Sequence, residues 1–271
     1  MRYRVKLSYD GQEFCGWQIQ PDAATVQETL EKALSTLLGA PVSVTGAGRT
    51  DSRVNAIGYV AHFDSEAAVD TEMLGYKLNA ILPRGIVVHG VAAADADFHA
   101  RFGATRREYT YFIHRIKDPF VEKFSWRCSY PLDVDAMNEA AKYLIGRHDF
   151  RCFEKVGADN KTSICTVTEA FWSTYEPAHV SLMGFESAAA KPGTEAPEAR
   201  YIYFRIAADR FLRNMVRAIV GSLVEVGRGK RSVGEFAALV LPEGCEGTKA
   251  TRSDAGESVP GHALFLSEVE Y

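Results

Sequence analysis

Segments whose apolar residues recur at every second position alternate along this chain with segments whose apolar residues recur every three or four, and that interleaving restricts the fold most. Residues 2–9 read RYRVKLSY: Tyr3, Val5, Leu7 and Tyr9 face one way, the charged and polar residues the other. That is a strand with one buried face, and Asp10-Gly11 ends it. Residues 25–38 put Val26, Leu30, Leu34 and Leu37 on one helical stripe, with Thr25 and Glu28 as a capping box and Gly39 at the C′ position. A second helix is predicted over 71–82, with Leu74, Leu78 and Ile81 in register and Pro83 closing it. REYTYFIH (107–114) alternates as a strand, and the order then begins again. A helix capped by Asp133 or Asp135 runs to Leu144. Strands follow at about 162–175 and 200–207, helices at about 211–226 and 232–241, and a last strand at 263–270. The expectation is an α+β fold with a mixed, largely antiparallel sheet flanked by helices. It divides into two halves of similar rhythm, 1–106 and 107–271, with no residue-level repeat. The low-complexity stretch within 176–199 is expected to be a poorly ordered loop.

With 271 residues, 46% of them hydrophobic, the chain can bury a sizeable core without disulfides or metals, and global disorder is excluded. No apolar run approaches the ~18 residues of a membrane span, and the start lacks the apolar core of an export signal. The five cysteines (15, 128, 152, 165, 245) form no CxxC and join no Cys/His cluster, which points to a reduced, cytoplasmic protein without a zinc site. The seven histidines show no paired spacing and read as surface or core residues, with His99 as the exception worth testing; Trp17 reads as core.

Three places could carry chemistry. GAGRTD (46–51) satisfies neither the phosphate-loop pattern nor the dinucleotide fingerprint. It is either a plain turn or a carboxylate, Asp51, displayed on a loop that its two glycines leave free for positive φ, with Arg49 two residues earlier. RREYTYF (106–112) is either a tyrosine-rich core strand or a face on which Tyr109 and Tyr111 stack a base while Arg106 and Arg107 hold phosphates. In DRFLRNMVR (209–217), Arg210, Arg213 and Arg217 form one row at helical spacing, either a solvated face or a basic one. Arg217 lies between apolar neighbours, so its guanidinium is expected to be partly buried and to want a carboxylate. The formal net charge of −4 argues naively against a nucleic-acid partner. Its distribution argues the other way. Residues 200–231 carry eight basic side chains against Asp209 and Glu225, and 101–117 carry five against Glu108, whereas 64–97 are acidic. Arginines interleaved with aromatics suit RNA.

In order and spacing, GAGRTD, RREYTYF and FLRNMVRAIVGSLVEVG resemble the tRNA pseudouridine synthase A family, supported by FCGWQIQ (14–20), Thr25-Val26-Gln27 and FHAR (98–101). The resemblance covers nearly the whole chain. It implies the pseudouridine synthase fold with a cleft between the two halves. It also implies a cofactor-free, metal-free isomerase converting uridine to pseudouridine at positions 38, 39 and 40 of the tRNA anticodon stem-loop, as a cytoplasmic homodimer. By motif, Asp51 is then the catalytic aspartate, Tyr109 the active-site and substrate-binding tyrosine, and Arg217 the arginine pairing with the aspartate. Arg49 resembles the residue that displaces the target base, while Arg106, Arg107, Arg210 and Arg213 are read as RNA contacts from the basic stretches themselves. The family usually follows the aspartate with a small residue, glycine, valine, histidine and alanine, where this chain has Ser52-Arg53-Val54-Asn55-Ala56. It also departs from the family around 250–262. A non-catalytic RNA chaperone, with Asp51 incidental, and a hydrolase pairing Asp51 with a second acid such as Asp10 are the competing readings. The first gains nothing from a carboxylate facing RNA, and the second has no other acid in a comparable setting.

Overall fold

The computed structural model describes residues 1–157, 161–184, 199–244 and 250–271. The core of the low-complexity stretch (185–198) and Cys245 lie outside the described residues. In chain order the elements are β1 (Arg2–Tyr9), α1 (Val26–Leu38), β2 (Val44–Gly46), β3 (Asn55–Asp64), α2 (Thr71–Ile81), β4 (Ile86–Ala94), β5 (Arg106–His114), β6 (Trp126–Arg127), α3 (Val134–Ala141), β7 (Gly146–Asp149), β8 (Ile164–Thr174), α4 (Ala178–Ser181), β9 (Tyr201–Ala208), α5 (Met215–Gly227), α6 (Val233–Ala237), β10 (Leu241–Pro242) and β11 (Leu264–Glu270). They form two compact units, residues 1–107 with 265–271, and residues 108–264.

In the first unit β1 pairs antiparallel with β3 on one side and β4 on the other, and β2 adds antiparallel to β3. β11 pairs with β3 in parallel, Phe265 opposite Asn55 and Leu266 opposite Ala56. The alternation of β1 is what the sheet uses: Tyr3, Val5, Leu7 and Tyr9 are buried. Helix α1 begins where the Thr25 hydroxyl accepts the Glu28 N–H, and ends on Gly39 at φ 69°. Asp70 caps α2 in the same way. Leu74 and Leu78 are buried, but Ile81 is exposed; the helix ends there, because Leu82 turns extended before Pro83 and is buried instead. The Asn79 carboxamide pairs with both backbone groups of Val88, 2.8 Å each, fastening α2 to β4.

In the second unit β10, β7, β8, β9 and β5 lie side by side, with β6 parallel to β5. The β7–β8, β8–β9 and β10–β7 pairs are antiparallel. The sheet is thus mixed and largely antiparallel, and the fold α+β. Asp133 caps α3, whereas the expected helix at 232–241 stops at Ala237 after a complete Ser232–Glu235 capping box. β5 is covered on both faces. Tyr111 and Ile113 are buried, and so are Glu108 and Thr110, which simple alternation assigns to solvent. Among the described residues, no helix is long and apolar enough to cross a membrane.

Candidate active site

The loop carrying Asp51 runs from the end of β2 to the start of β3, and buried aromatic rings hold its backbone. The Ala47 N–H donates to Val60 (2.8 Å), and the Trp17 N–H to the Thr50 carbonyl (3.3 Å). The Tyr9 and Thr50 hydroxyls hydrogen-bond at 2.9 Å, and the Tyr59 hydroxyl donates to the Gly48 carbonyl. Trp17 is buried and stacks on Tyr59 at 4.1 Å, in keeping with its reading as core. On this scaffold Thr50 is buried, Asp51 half-buried and Arg49 exposed.

The glycines of the loop serve a different purpose from the one expected. Neither Gly46 nor Gly48 takes a positive φ. Gly46 is small because a Cβ would lie 2.2 Å from the Tyr59 hydroxyl and 2.5 Å from the Trp17 ring. The left-handed residue is Arg53, at φ 67°. Gly16, at φ 90°, lies so close to the loop that a Cβ would meet the Thr50 carbonyl at 2.4 Å. Asn55, where the resemblance leads one to expect histidine, is buried and accepts the Gly11 N–H at 2.9 Å. That bond ties the turn after β1 to the start of β3.

Arg107, near the start of β5 and in the same unit, also holds the loop. Its guanidinium donates to the Ala47 carbonyl (2.9 Å) and to the Arg101 carbonyl (2.7 Å). Arg106 pairs with Glu270 at 2.7 Å and Glu268 at 3.6 Å. Both arginines therefore organise their own unit, whatever else they touch. His99 accepts the Arg101 and Phe102 N–H groups through Nδ1, 3.1 Å each.

In the second unit Tyr109 is half-buried, with the Phe211 ring edge-on at 5.0 Å. Tyr111 is fully buried and donates to the Pro260 carbonyl at 3.0 Å; burial pushes its hydroxyl far above the ordinary tyrosine pKa, only partly opposed by the Arg217 charge. The helix expected at 211–226 starts at Met215. Asn214, at φ 67° and ψ 1°, stands outside the helical region, so Arg210 and Arg213 precede α5 and no three-arginine helical row exists. Arg213 is exposed and Arg210 half-buried. Arg217 lies in the first turn of a helix that is otherwise almost wholly buried, and is itself half-buried. It is locked to Val259 twice: its Nε donates to the Val259 carbonyl (2.7 Å), and the Val259 N–H donates to the Arg217 carbonyl (3.3 Å). The irregular segment bearing Val259 can approach because Gly221 has no Cβ, which would fall 1.8 Å from the Glu257 carbonyl.

Asp10, the other acid considered, caps a short 3-10 turn through the Gln12 N–H. Among the described residues, no group of three or more His, Cys, Asp or Glu side chains is arranged to hold a metal ion.

Comparison with known proteins shows the family of the chain. A sequence model described as tRNA pseudouridine synthase matches residues 7–103 and 140–271. The first span contains Asp51 and the second Arg217, while Tyr109 falls between them. A protein named tRNA pseudouridine synthase A from Bacteroides fragilis is 44% identical over 271 residues, covering 100% of this chain and 96% of that protein. The proteins of the same name from Bacillus subtilis and Acetivibrio thermocellus are each 38% identical, covering 100% and 99% of this chain and 99% and 98% of their own lengths. A family model matching most of the chain, and relatives 38–44% identical over 99–100% of it, make the chain a member of the tRNA pseudouridine synthase family.

Proposed function

We propose that this protein isomerises uridine to pseudouridine at positions 38, 39 and 40 in the anticodon stem-loop of tRNA. Asp51 is the catalytic residue, Tyr109 stacks the target base and Arg217 pairs with the aspartate. The observation that carries this reading is the half-exposed Asp51 carboxylate on a loop whose backbone is fixed by Tyr9, Trp17, Tyr59 and Arg107. Such rigidity suits a group that must meet one atom of a large substrate in one geometry.

The reaction breaks the C1′–N1 bond, turns the uracil and joins C1′ to C5. The C5 proton is lost and N1 gains one, so atoms and electrons balance without an added redox partner. Attack by Asp51 on a carbon of the nucleotide and removal of a sugar proton are alternative opening steps, and both need an ionised, positioned carboxylate. The target nucleotide must leave the stack, at a cost of a few kcal/mol. Stacking on Tyr109 returns about 1–3 kcal/mol of that. Exposed Arg49 takes the space of the displaced base, and Arg106, Arg107, Arg210 and Arg213 contribute to the positive field that attracts tRNA. The enzyme acts in the cytoplasm as a homodimer.

The test uses an unmodified tRNA transcript with uridine at 38–40, tritiated at C5. Wild type should release tritium and leave carbodiimide-sensitive pseudouridine at those positions. Asp51→Asn should lower product formation at least 1,000-fold, on the order expected for loss of a nucleophile or base, with tRNA affinity kept. Full activity in Asp51→Asn, or no product from wild type, overturns the reading.

A further inference from the structure

Just before β5 the chain makes a tight turn, Phe98 to Gly103, that ends in an unusual exposure: Phe102 is 76% exposed. A lone exposed phenylalanine on a mobile loop would mean little. This one sits on a rigid base. His62 accepts the Ala100 N–H (3.1 Å), His99 accepts the Arg101 and Phe102 N–H groups, and the Tyr271 hydroxyl donates to the Ala100 carbonyl (2.8 Å). The Gly103 N–H returns to the His99 carbonyl at 2.8 Å. The His99 ring backs the phenyl ring, centroids 4.4 Å apart and planes 35° from parallel, and rests on His62 in turn. Arg101, also exposed, holds its guanidinium carbon 5.5 Å from the Phe102 centroid.

Leaving a phenyl ring in water forgoes stabilisation that a turn this well fixed could have gained by facing inward. What it offers is a flat apolar face, pre-ordered, with a cation at its flank. An unstacked nucleobase attached to a phosphate matches both parts. The same turn is coupled to the Asp51 loop, because one guanidinium, that of Arg107, donates to Arg101 and Ala47 carbonyls alike.

We infer that Phe102 is a stacking platform for a second tRNA base, distinct from the target uridine, and that Arg101 holds the phosphate beside it. The platform rests on the tRNA reading proposed above and deepens it: it adds affinity for the stem-loop beside the Asp51 loop, and takes no part in bond making. Phe102 is therefore a binding residue, whose loss weakens ground state and transition state alike.

Phe102→Leu keeps an apolar side chain against His99 and removes the π face; Phe102→Tyr keeps both. Direct binding to a tRNA transcript, together with steady-state tritium release and thermal melting, separates the roles. Phe102→Leu should bind roughly 5- to 150-fold more weakly, the range for loss of one base–aromatic stack. Its KM should rise with kcat nearly unchanged, its Tm should match wild type, and Phe102→Tyr should restore affinity. Equal affinity of wild type and Phe102→Leu overturns the platform, as does equal loss in the Leu and Tyr variants. Loss of self-association in Phe102→Leu with unchanged tRNA affinity also overturns it, in favour of a protein contact. Wild type that binds tRNA without forming pseudouridine defeats the activity reading alone, since the affinity comparison still reports on Phe102.

Discussion

Arg53 holds a left-handed backbone, φ 67°, two residues beyond the aspartate, where glycine would sit without strain. The conformation costs a non-glycine residue about 1–2 kcal/mol. Glycine's extra freedom in the unfolded chain takes back about 0.4–1 kcal/mol. Arg53→Gly should therefore raise stability by up to about 1.6 kcal/mol, a Tm increase of up to about 6 °C, in a thermal melt. A lower Tm would mean that the arginine side chain itself holds the loop. At this scale, what the sequence shows depends on where the cause lies. GAGRTD displays its carboxylate openly, and Trp17 after a turn reads as core. The need for glycine at Gly46 comes from Tyr59 and Trp17, rings far away in the chain, so a pattern of small residues could not distinguish shortage of space from freedom of φ.

The start of α5 shows the same limit among elements. Phe211, Met215, Ile219 and Leu223 continue one apolar period, which predicts a helix from 211, yet Asn214 interrupts it and donates from Nδ2 to the Ser258 hydroxyl at 2.6 Å. That partner is supplied by a distant segment and leaves no local trace. Where the cap is local, as with Thr25 and Ser232, the helix start is legible in the sequence, and of the two candidates at α3 it is Asp133 that caps. The displaced start bears on Arg217, which now stands in the first turn, its orientation set by Val259. Lysine cannot reproduce the Nε–H donor within a fixed planar fork. Arg217→Lys should thus lower kcat by about 10- to 100-fold, matching about 1.4–2.8 kcal/mol of lost hydrogen bonding to a charged group, while tRNA affinity changes little. Measurement of kcat and Kd on the same transcript checks this, and an unchanged kcat would show that the Val259 lock has no catalytic consequence.

For the molecule as a whole, the net charge of −4 says little about the partner because the basic residues cluster in 101–117 and 200–231. Its stability has a pH dependence written into two buried histidines, one in each unit. Burial lowers the pKa of His62, helped by the charges of Arg2 and His99. Burial also lowers that of His114, with Glu122 and Asp118 partly opposing it. A histidine depressed in the folded state takes up its proton more readily when unfolded. Its stabilising contribution is complete above about pH 6.5, the unfolded value, and is lost as pH falls through the folded value. Thermal melts should therefore show a declining Tm as pH falls below about 6.5, and His114→Gln should flatten the decline. The buried carboxylates of Asp118 and Asp149 do not confuse this window. Burial pushes both up, but their hydrogen bonds, to Tyr201, Phe120 and His179 for Asp118 and to Arg151 and Ser163 for Asp149, hold them below the ordinary carboxylate range. Their contribution is lost only at more acidic pH.

The parallel pairing of β11 with β3 also sets an order in time. Phe265 and Leu266 complete the edge of the strand that leads directly out of the Asp51 loop, at Asn55 and Ala56. On a translating ribosome, at ~5–20 residues per second, β3 waits on the order of ten seconds or more for that partner. During the wait only the Asn55–Ala56 end of that edge lacks its partner, because β2 already pairs with β3 from Ala61 to Phe63. The start of β3 therefore gains its last neighbour only when synthesis has passed the whole of the second unit, whereas the bonds that Tyr9, Trp17 and Tyr59 make to the Asp51 loop join residues synthesised long before.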